Sequence, residues 1–132
     1  MTVLADTNVI IDFWKHPSDE LRTFFGTEDV VLCGVVVAEL LHGALSEKNL
    51  NQISSLISCF RLLSISEMDW ANFGVMLYRL RSNGVTVPFQ DALIAYIAIN
   101  NNVPLKTKDK HFQLIRTVFP DLCLYEQPQD SI

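Results

Sequence analysis

Three features of the sequence predict an α/β fold built on a central, mainly parallel sheet. Short apolar runs alternate with helix-like segments, the pattern that places crossover helices between parallel strands. The opening run Val3-Leu4-Ala5 closes on Asp6 and passes at once into a helix-compatible stretch, Val9-Ile10-Ile11. A later segment, residues 90–100, is apolar on nearly every side and needs burial at the centre of the molecule. In open sheets of this kind ligands bind beyond the carboxyl ends of the strands, which is where Asp6 stands.

Five short strands are expected, over residues 3–5, 30–33, 62–64, 104–107 and 122–125. A first helix covers roughly residues 7–14, and a second covers roughly 18–25, with Ser18 as its N-cap and Gly26 as its stop. Residues 35–46 read as a helix carrying Glu39, and residues 49–59 bring Ile53, Leu56, Ile57 and Phe60 to helical spacing. Ser66-Glu67-Met68-Asp69 resembles a capping box, with Asp in place of the usual Glu or Gln. It opens a helix that sets Trp70, Phe73, Leu77 and Leu80 on one face and ends at Asn83-Gly84. The apolar helix over 90–100 follows, with Asp91 in its first turn. No repeat, low-complexity tract or linker interrupts the chain, so a single domain over residues 1–132 is expected, with a polar, flexible tail at 126–132.

Composition narrows the class. A chain of 132 residues with 49% hydrophobic content can build a core without staples. Charged or polar residues break every window of about 20 residues, so no membrane span is expected. The first residues lack a basic stretch, an apolar core and a small-residue cleavage site, and the protein is expected to be soluble and cytoplasmic. Cys33, Cys59 and Cys123 form no CxxC pair and read as buried thiols of a reducing compartment. The net charge of −5 argues against nucleic-acid binding through overall charge. It leaves open a nuclease with a local acidic metal site and a local basic rim.

Four acids stand at unusual places. Asp6 closes the first strand, Glu39 interrupts the apolar stretch Val35-Val36-Val37-Ala38-Glu39-Leu40-Leu41, Asp91 opens the most apolar helix, and Asp109 follows the fourth strand. Each alone has a plain reading: Asp6 as a helix cap, Glu39 as an exposed helix residue, Asp91 as an acid favoured by the helix dipole, Asp109 as a loop acid or the cap of a segment at 110–115. Together they are harder to dismiss, because an unpaired acid buried in apolar surroundings costs several kcal/mol. Strand ends and helix N-termini of a parallel sheet converge on one edge, where a divalent cation would neutralise such a cluster. Oxygen-only ligands favour Mg²⁺ or Mn²⁺ over zinc.

Other residues were weighed against this set. Lys106, Lys108 and Lys110 alternate around Asp109 and either rim a cleft and meet phosphates or form a solvated edge. His16, His42 and His111 show no metal-binding spacing among themselves, and His42 reads as a packing or partner residue. Phe13 and Trp14 are core residues or a docking surface. The sequence contains no GxGxxG or GxxxxGK[ST] phosphate loop and no order of residues suited to nucleophilic catalysis. Leu62-Leu63-Ser64 lacks the Asp of a phosphoacceptor domain, and Asp6-Thr7-Asn8 lacks the second Asp of a dehalogenase-type phosphatase.

The segments LADTNVIIDF, VVVAELLHGA, VPFQDALIAYIAINNNVPL and KTKDKHFQLI, in this order and spacing, resemble the PIN-domain ribonucleases, most closely the VapC toxin group of toxin–antitoxin systems. The resemblance runs from Val3 to about Tyr125. It implies a five-stranded PIN-like sheet flanked by helices and a catalytic set of Asp6, Glu39, Asp91 and Asp109. Asp6, Asp91 and Asp109 would be metal ligands for Mg²⁺ or Mn²⁺, and Asn8 and Thr107 would orient the acids by hydrogen bonding. The implied reaction is metal-assisted hydrolysis of RNA, with water oriented by Asp91 or Glu39, a 5′-phosphate on one product and a 3′-hydroxyl on the other. It also implies a homodimer and a small VapB-like antitoxin that covers the site and inserts a basic residue among the acids. The alternative is a non-catalytic PIN-fold module that binds RNA or protein.

Overall fold

The apolar character of the first strand follows from its place. Val3, Leu4 and Ala5 are all completely buried, so the run does not alternate: both faces of the sheet are covered. The structure, a computed structural model, describes residues 1–126. The elements are β1 (Thr2–Ala5), α1 (Thr7–Lys15), α2 (Asp19–Thr27), β2 (Asp29–Cys33), α3 (Gly34–His42) and α4 (Glu47–Ile57). They continue with β3 (Arg61–Leu63), α5 (Asp69–Ser82), α6 (Phe89–Asn100), β4 (Leu105–Lys106) and α7 (His111–Val118). The flexible tail expected at 126–132 lies, from residue 127 on, outside the described residues.

The strands form one parallel sheet in the order β3-β2-β1-β4. Val3 pairs with Val30, Leu4 with Leu105, and Val31 with Arg61. Four strands form among the described residues where about five were expected. The fifth candidate, 122–125, contributes only a parallel bridge between Leu124 and Leu105. Leu105 NH donates to the Cys123 carbonyl at 2.9 Å, and Tyr125 NH donates to the Leu105 carbonyl at 2.8 Å. β4 is two residues long, because the chain turns off toward Thr107 directly after Lys106, and so offers a fifth strand almost nothing to pair with.

Several helix boundaries follow their caps. Ser18 accepts from Leu21 NH at 3.1 Å and opens α2, which runs through Gly26 to Thr27 before β2 begins. α3 stops at His42 and not near residue 46, because Ser46 accepts from Asn49 NH at 3.0 Å and starts α4 there. α5 buries Phe73, Met76 and Leu80, whereas Trp70 is half exposed. α6 is the central helix the sequence predicts, with Ala92, Leu93, Ile94, Ala95, Ile97 and Ala98 all buried. Of the three cysteines, all free, only Cys33 is buried; Cys59 lies just past the end of α4, and Cys123 follows the buried Leu122 with its own side chain outward. No helix among the described residues is long and apolar enough to cross a membrane.

The topology sets the site. From β1 the chain moves to β2 and then β3 on one side, and returns to add β4 on the other. The crevice between the carboxyl ends of β1 and β4 is therefore a topological switch point, the place where α/β sheets hold ligands.

Candidate active site

Asp6 sits at this crevice, one residue past β1, and only 5% of its surface is exposed. Its Oδ1 accepts from Thr7 NH at 2.8 Å, so it does cap α1, as its plain reading held. Its Oδ2 accepts from Thr107 Oγ1 at 2.7 Å, across the switch point. The same threonine oxygen accepts from Asp109 NH at 3.0 Å. The buried Thr7 donates its hydroxyl to Glu39 Oε1 at 3.0 Å, which ties α3 to the same edge.

Asp91, in the first turn of α6, is 9% exposed. Its Oδ2 lies 2.8 Å from His111 Nδ1. Asp109 Oδ1 accepts from His111 NH at 2.9 Å and lies 3.2 Å from the same imidazole nitrogen. Asp109 therefore serves the start of α7 and faces the cluster as well. The four acids predicted from sequence thus form one linked array, joined through Thr7, Thr107 and His111.

The array carries uncompensated charge. Burial pushes the Asp6 carboxyl above its ordinary value; the hydrogen bonds from Thr107 and Thr7 oppose this, and the charges of Asp91 and Glu39 add to it. Burial likewise raises Asp91, against the hydrogen bond from His111 and with the charge of Asp109. His111 is raised in turn, chiefly by its hydrogen bond to Asp91. Among the described residues no lysine or arginine pairs with any of the four acids.

A divalent cation suits this donor set. One ligand atom each from Asp91, Asp109 and His111 lies within 4.8 Å of the others. Asp6, expected to be a third carboxylate ligand, stands outside that tight group, and its two oxygens are bonded to Thr7 and Thr107. Thr107, expected to orient the acids, bonds to Asp6 and to the Asp109 backbone. Asn8, expected to do the same, lies exposed on α1, and among the described residues no hydrogen bond joins it to any of the four acids.

The lysines divide. Lys106 points away from the cleft, because side chains alternate along β4 and Thr107 takes the site-facing position. Its ammonium lies 3.5 Å from Glu20 and 5.6 Å from the ring centres of both Phe24 and Tyr125. Lys108 pairs with Asp12 on α1. Lys108 and Lys110 border a pocket of about 180 Å³ that Thr107 and Asp109 also line. Lys106 does not line it.

A PIN-domain family model matches residues 3–117, which include all four acids. The chain belongs to the PIN-domain family. It is similar to Ribonuclease VapC1 of Methanocaldococcus jannaschii, with 28% identity over 116 residues, 86% of this chain and 81% of that protein. Among solved structures it is similar to VapBC-1 of nontypeable Haemophilus influenzae, with TM-score 0.76 and 25% identity over 96% of this chain and 98% of that one. The DNA-bound VapBC of Salmonella typhimurium shares the fold, with TM-score 0.80 and 22% identity over 95% and 97% of the two chains.

Two residues of this PIN domain's site escaped the sequence reading. Thr7 was passed over between two candidates, the acid Asp6 and the amide Asn8, although a hydroxyl beside a buried carboxylate is a natural link. His111 was set aside because it has no spacing to another histidine. Its spacing to an acid, Asp109-Lys110-His111 at a helix start, was the available signal.

Proposed function

We propose that this PIN domain is a metal-dependent endoribonuclease whose activity is restrained by a small VapB-like antitoxin. The observation that carries this reading is the array of Asp6, Glu39, Asp91 and Asp109 at the switch point, two of its members pushed upward in pKa with no lysine or arginine partner among the described residues. The names of its relatives, a ribonuclease and VapBC proteins, agree with it. Asp91 and Asp109 would hold Mg²⁺ or Mn²⁺, with Asp6 joining them by turning one oxygen from its threonine partner. When bound, such an ion acidifies water and neutralises charge on the transferring phosphate. Glu39 or Asp91 orients the attacking water and accepts its proton, and Thr107 fixes Asp6 and Asp109 relative to each other. Lys108 and Lys110 meet the flanking phosphates of the RNA.

The antitoxin would lie in the groove of about 650 Å³ between α1, α3 and α4, lined by Ile11, Trp14, Leu40, Leu45, Ile53 and Leu56. Glu39 also lines this groove, so a chain bound there reaches the acids directly, and a basic side chain on it would satisfy their charge. The protomer is proposed to act as a homodimer.

The deciding experiment compares wild type with Asp91→Asn on RNA in the presence of Mg²⁺ or Mn²⁺ and after chelation. Cleavage is expected to fall by about two orders of magnitude or more in the variant and to vanish with chelator. Full activity in either condition overturns the assignment. Metal binding without cleavage of any RNA would favour the non-catalytic binding module instead.

A further inference from the structure

We infer that His111 is a metal ligand of this PIN domain, giving the acid cluster a nitrogen donor and with it a preference for Mn²⁺ and later transition ions over Mg²⁺. The inference rests on the proposed metal-dependent reading and concerns how the site selects its ion. Nδ1 of His111 lies 2.8 Å from Asp91 Oδ2 and 3.2 Å from Asp109 Oδ1. Donor atoms on one edge of an octahedron with bonds of about 2.1 Å are separated by about 3.0 Å. The nitrogen already stands at ligand spacing from both carboxylates.

The backbone prepares this placement. His111 is the first residue of α7, its own NH donates to Asp109 Oδ1 at 2.9 Å, and its imidazole lies between Asp91 and Asp109. The ring is partly open to solvent, and its hydrogen-bonding partners among the described residues are these acids alone. Lys106 and Lys108 are turned to Glu20 and Asp12. Neutral imidazole binds divalent ions through either ring nitrogen. Carboxylates suit Mg²⁺ and Mn²⁺ alike, whereas imidazole favours the later metals, so a mixed set separates the two ions where an all-oxygen set would not.

The test is pulsed electron paramagnetic resonance of Mn²⁺ bound to the full chain, together with titration of Mn²⁺ and Mg²⁺ into wild type, His111→Gln and Asp91→Asn. Wild type is expected to show ¹⁴N modulation on Mn²⁺. His111→Gln, which keeps a hydrogen-bonding amide near Asp91, is expected to lose that modulation and to lose about tenfold in Mn²⁺ affinity, with Mg²⁺ affinity changed less than about threefold. Mn²⁺ bound in an Asp91-dependent manner, with RNA cleaved but no ¹⁴N modulation in wild type, overturns the role of His111 and leaves the nuclease reading standing. No Asp91-dependent Mn²⁺ binding overturns both. The wild-type spectrum alone decides the nitrogen ligand, so the result does not depend on the variant folding.

Discussion

At the scale of single residues, the site is governed by hydroxyls placed between acids. Thr107 donates to Asp6 and accepts from the Asp109 backbone, so one side chain spans the gap between β1 and α7. Thr107→Val keeps the shape and removes both bonds. Cleavage is expected to fall about 10–100-fold, the usual cost of losing a residue that orients a metal ligand, and Thr107→Ser is expected to restore most of it. Kinetics with matched melting curves check this, and an unchanged rate for the valine variant counts against the linkage. Asp6 has a stability signature as well. A carboxyl whose folded pKa is raised lends stability below its unfolded value, 3.8, and loses it as pH rises through the folded value. At neutral pH the metal-free protein therefore carries a penalty that Asp6→Asn relieves, since the amide can accept from Thr7 NH and donate to Thr107 Oγ1. The metal-free variant is expected to melt about 2–5 °C higher than wild type at pH 7, corresponding to roughly 1 kcal/mol. Added Mn²⁺ should stabilise wild type more than the variant. A sharp fall in melting temperature without metal would show that Asp6 is structurally required in its charged form.

At the scale of elements, the start of α5 shows what a short motif can and cannot reveal. Ser66 and Asp69 were legible as a capping pair, and Asp69 Oδ2 does accept from Ser66 NH at 2.7 Å. The reciprocal bond is replaced: Ser66 Oγ donates to the same carboxylate, and Tyr96 of α6 donates its hydroxyl to Asp69 Oδ1 at 2.9 Å. These bonds hold Asp69 below its ordinary value, the Ser66 backbone contributing most. The sign is opposite to that of Asp6. Stability from Asp69 is present above 3.8 and is lost as pH falls through the depressed folded value. The melting temperature of Asp69→Asn is expected to fall less steeply than that of wild type between about pH 4 and pH 2, as followed by circular dichroism. Equal slopes would mean that the bonds contribute nothing. The parallel sheet and the buried α6 were readable because apolar runs and all-round apolarity report burial on both faces. Trp70 packs against Phe73 on the face the spacing predicts, yet stays half exposed, since spacing alone does not tell how deep each residue of a stripe lies. The fifth strand shrank to a bridge because strand length depends on the partner, and β4 is cut short by the turn that delivers Thr107.

At the scale of the whole molecule, the four acids stand out in the sequence because each is anomalous in its own segment, whereas the approach of His111 to Asp91 needs the fold to bring α6 and α7 together. The groove between α1, α3 and α4 belongs to the same scale, since no single segment announces it. Its walls leave Leu56 43% and Leu45 89% exposed, beside the half-buried Trp14, and Glu39 at its inner end belongs to the acid array. An apolar surface that leads to unneutralised carboxylates fits a partner segment with apolar anchors followed by a basic side chain. If the antitoxin binds here, Leu56→Glu places a charge in the anchor region without touching Asp6, Glu39, Asp91 or Asp109. Affinity for the antitoxin is expected to drop by about 2 kcal/mol or more, roughly 30-fold, as for a central interface residue. RNA cleavage by the free protein should stay within about twofold of wild type, because the rate depends on groups at the sheet edge and not on this wall. Calorimetric titration of each protein with the antitoxin, run beside the cleavage assay, separates the two effects. An unchanged affinity would move the docking site elsewhere, while a parallel loss of cleavage would mean that the groove wall also shapes the acid array through α3.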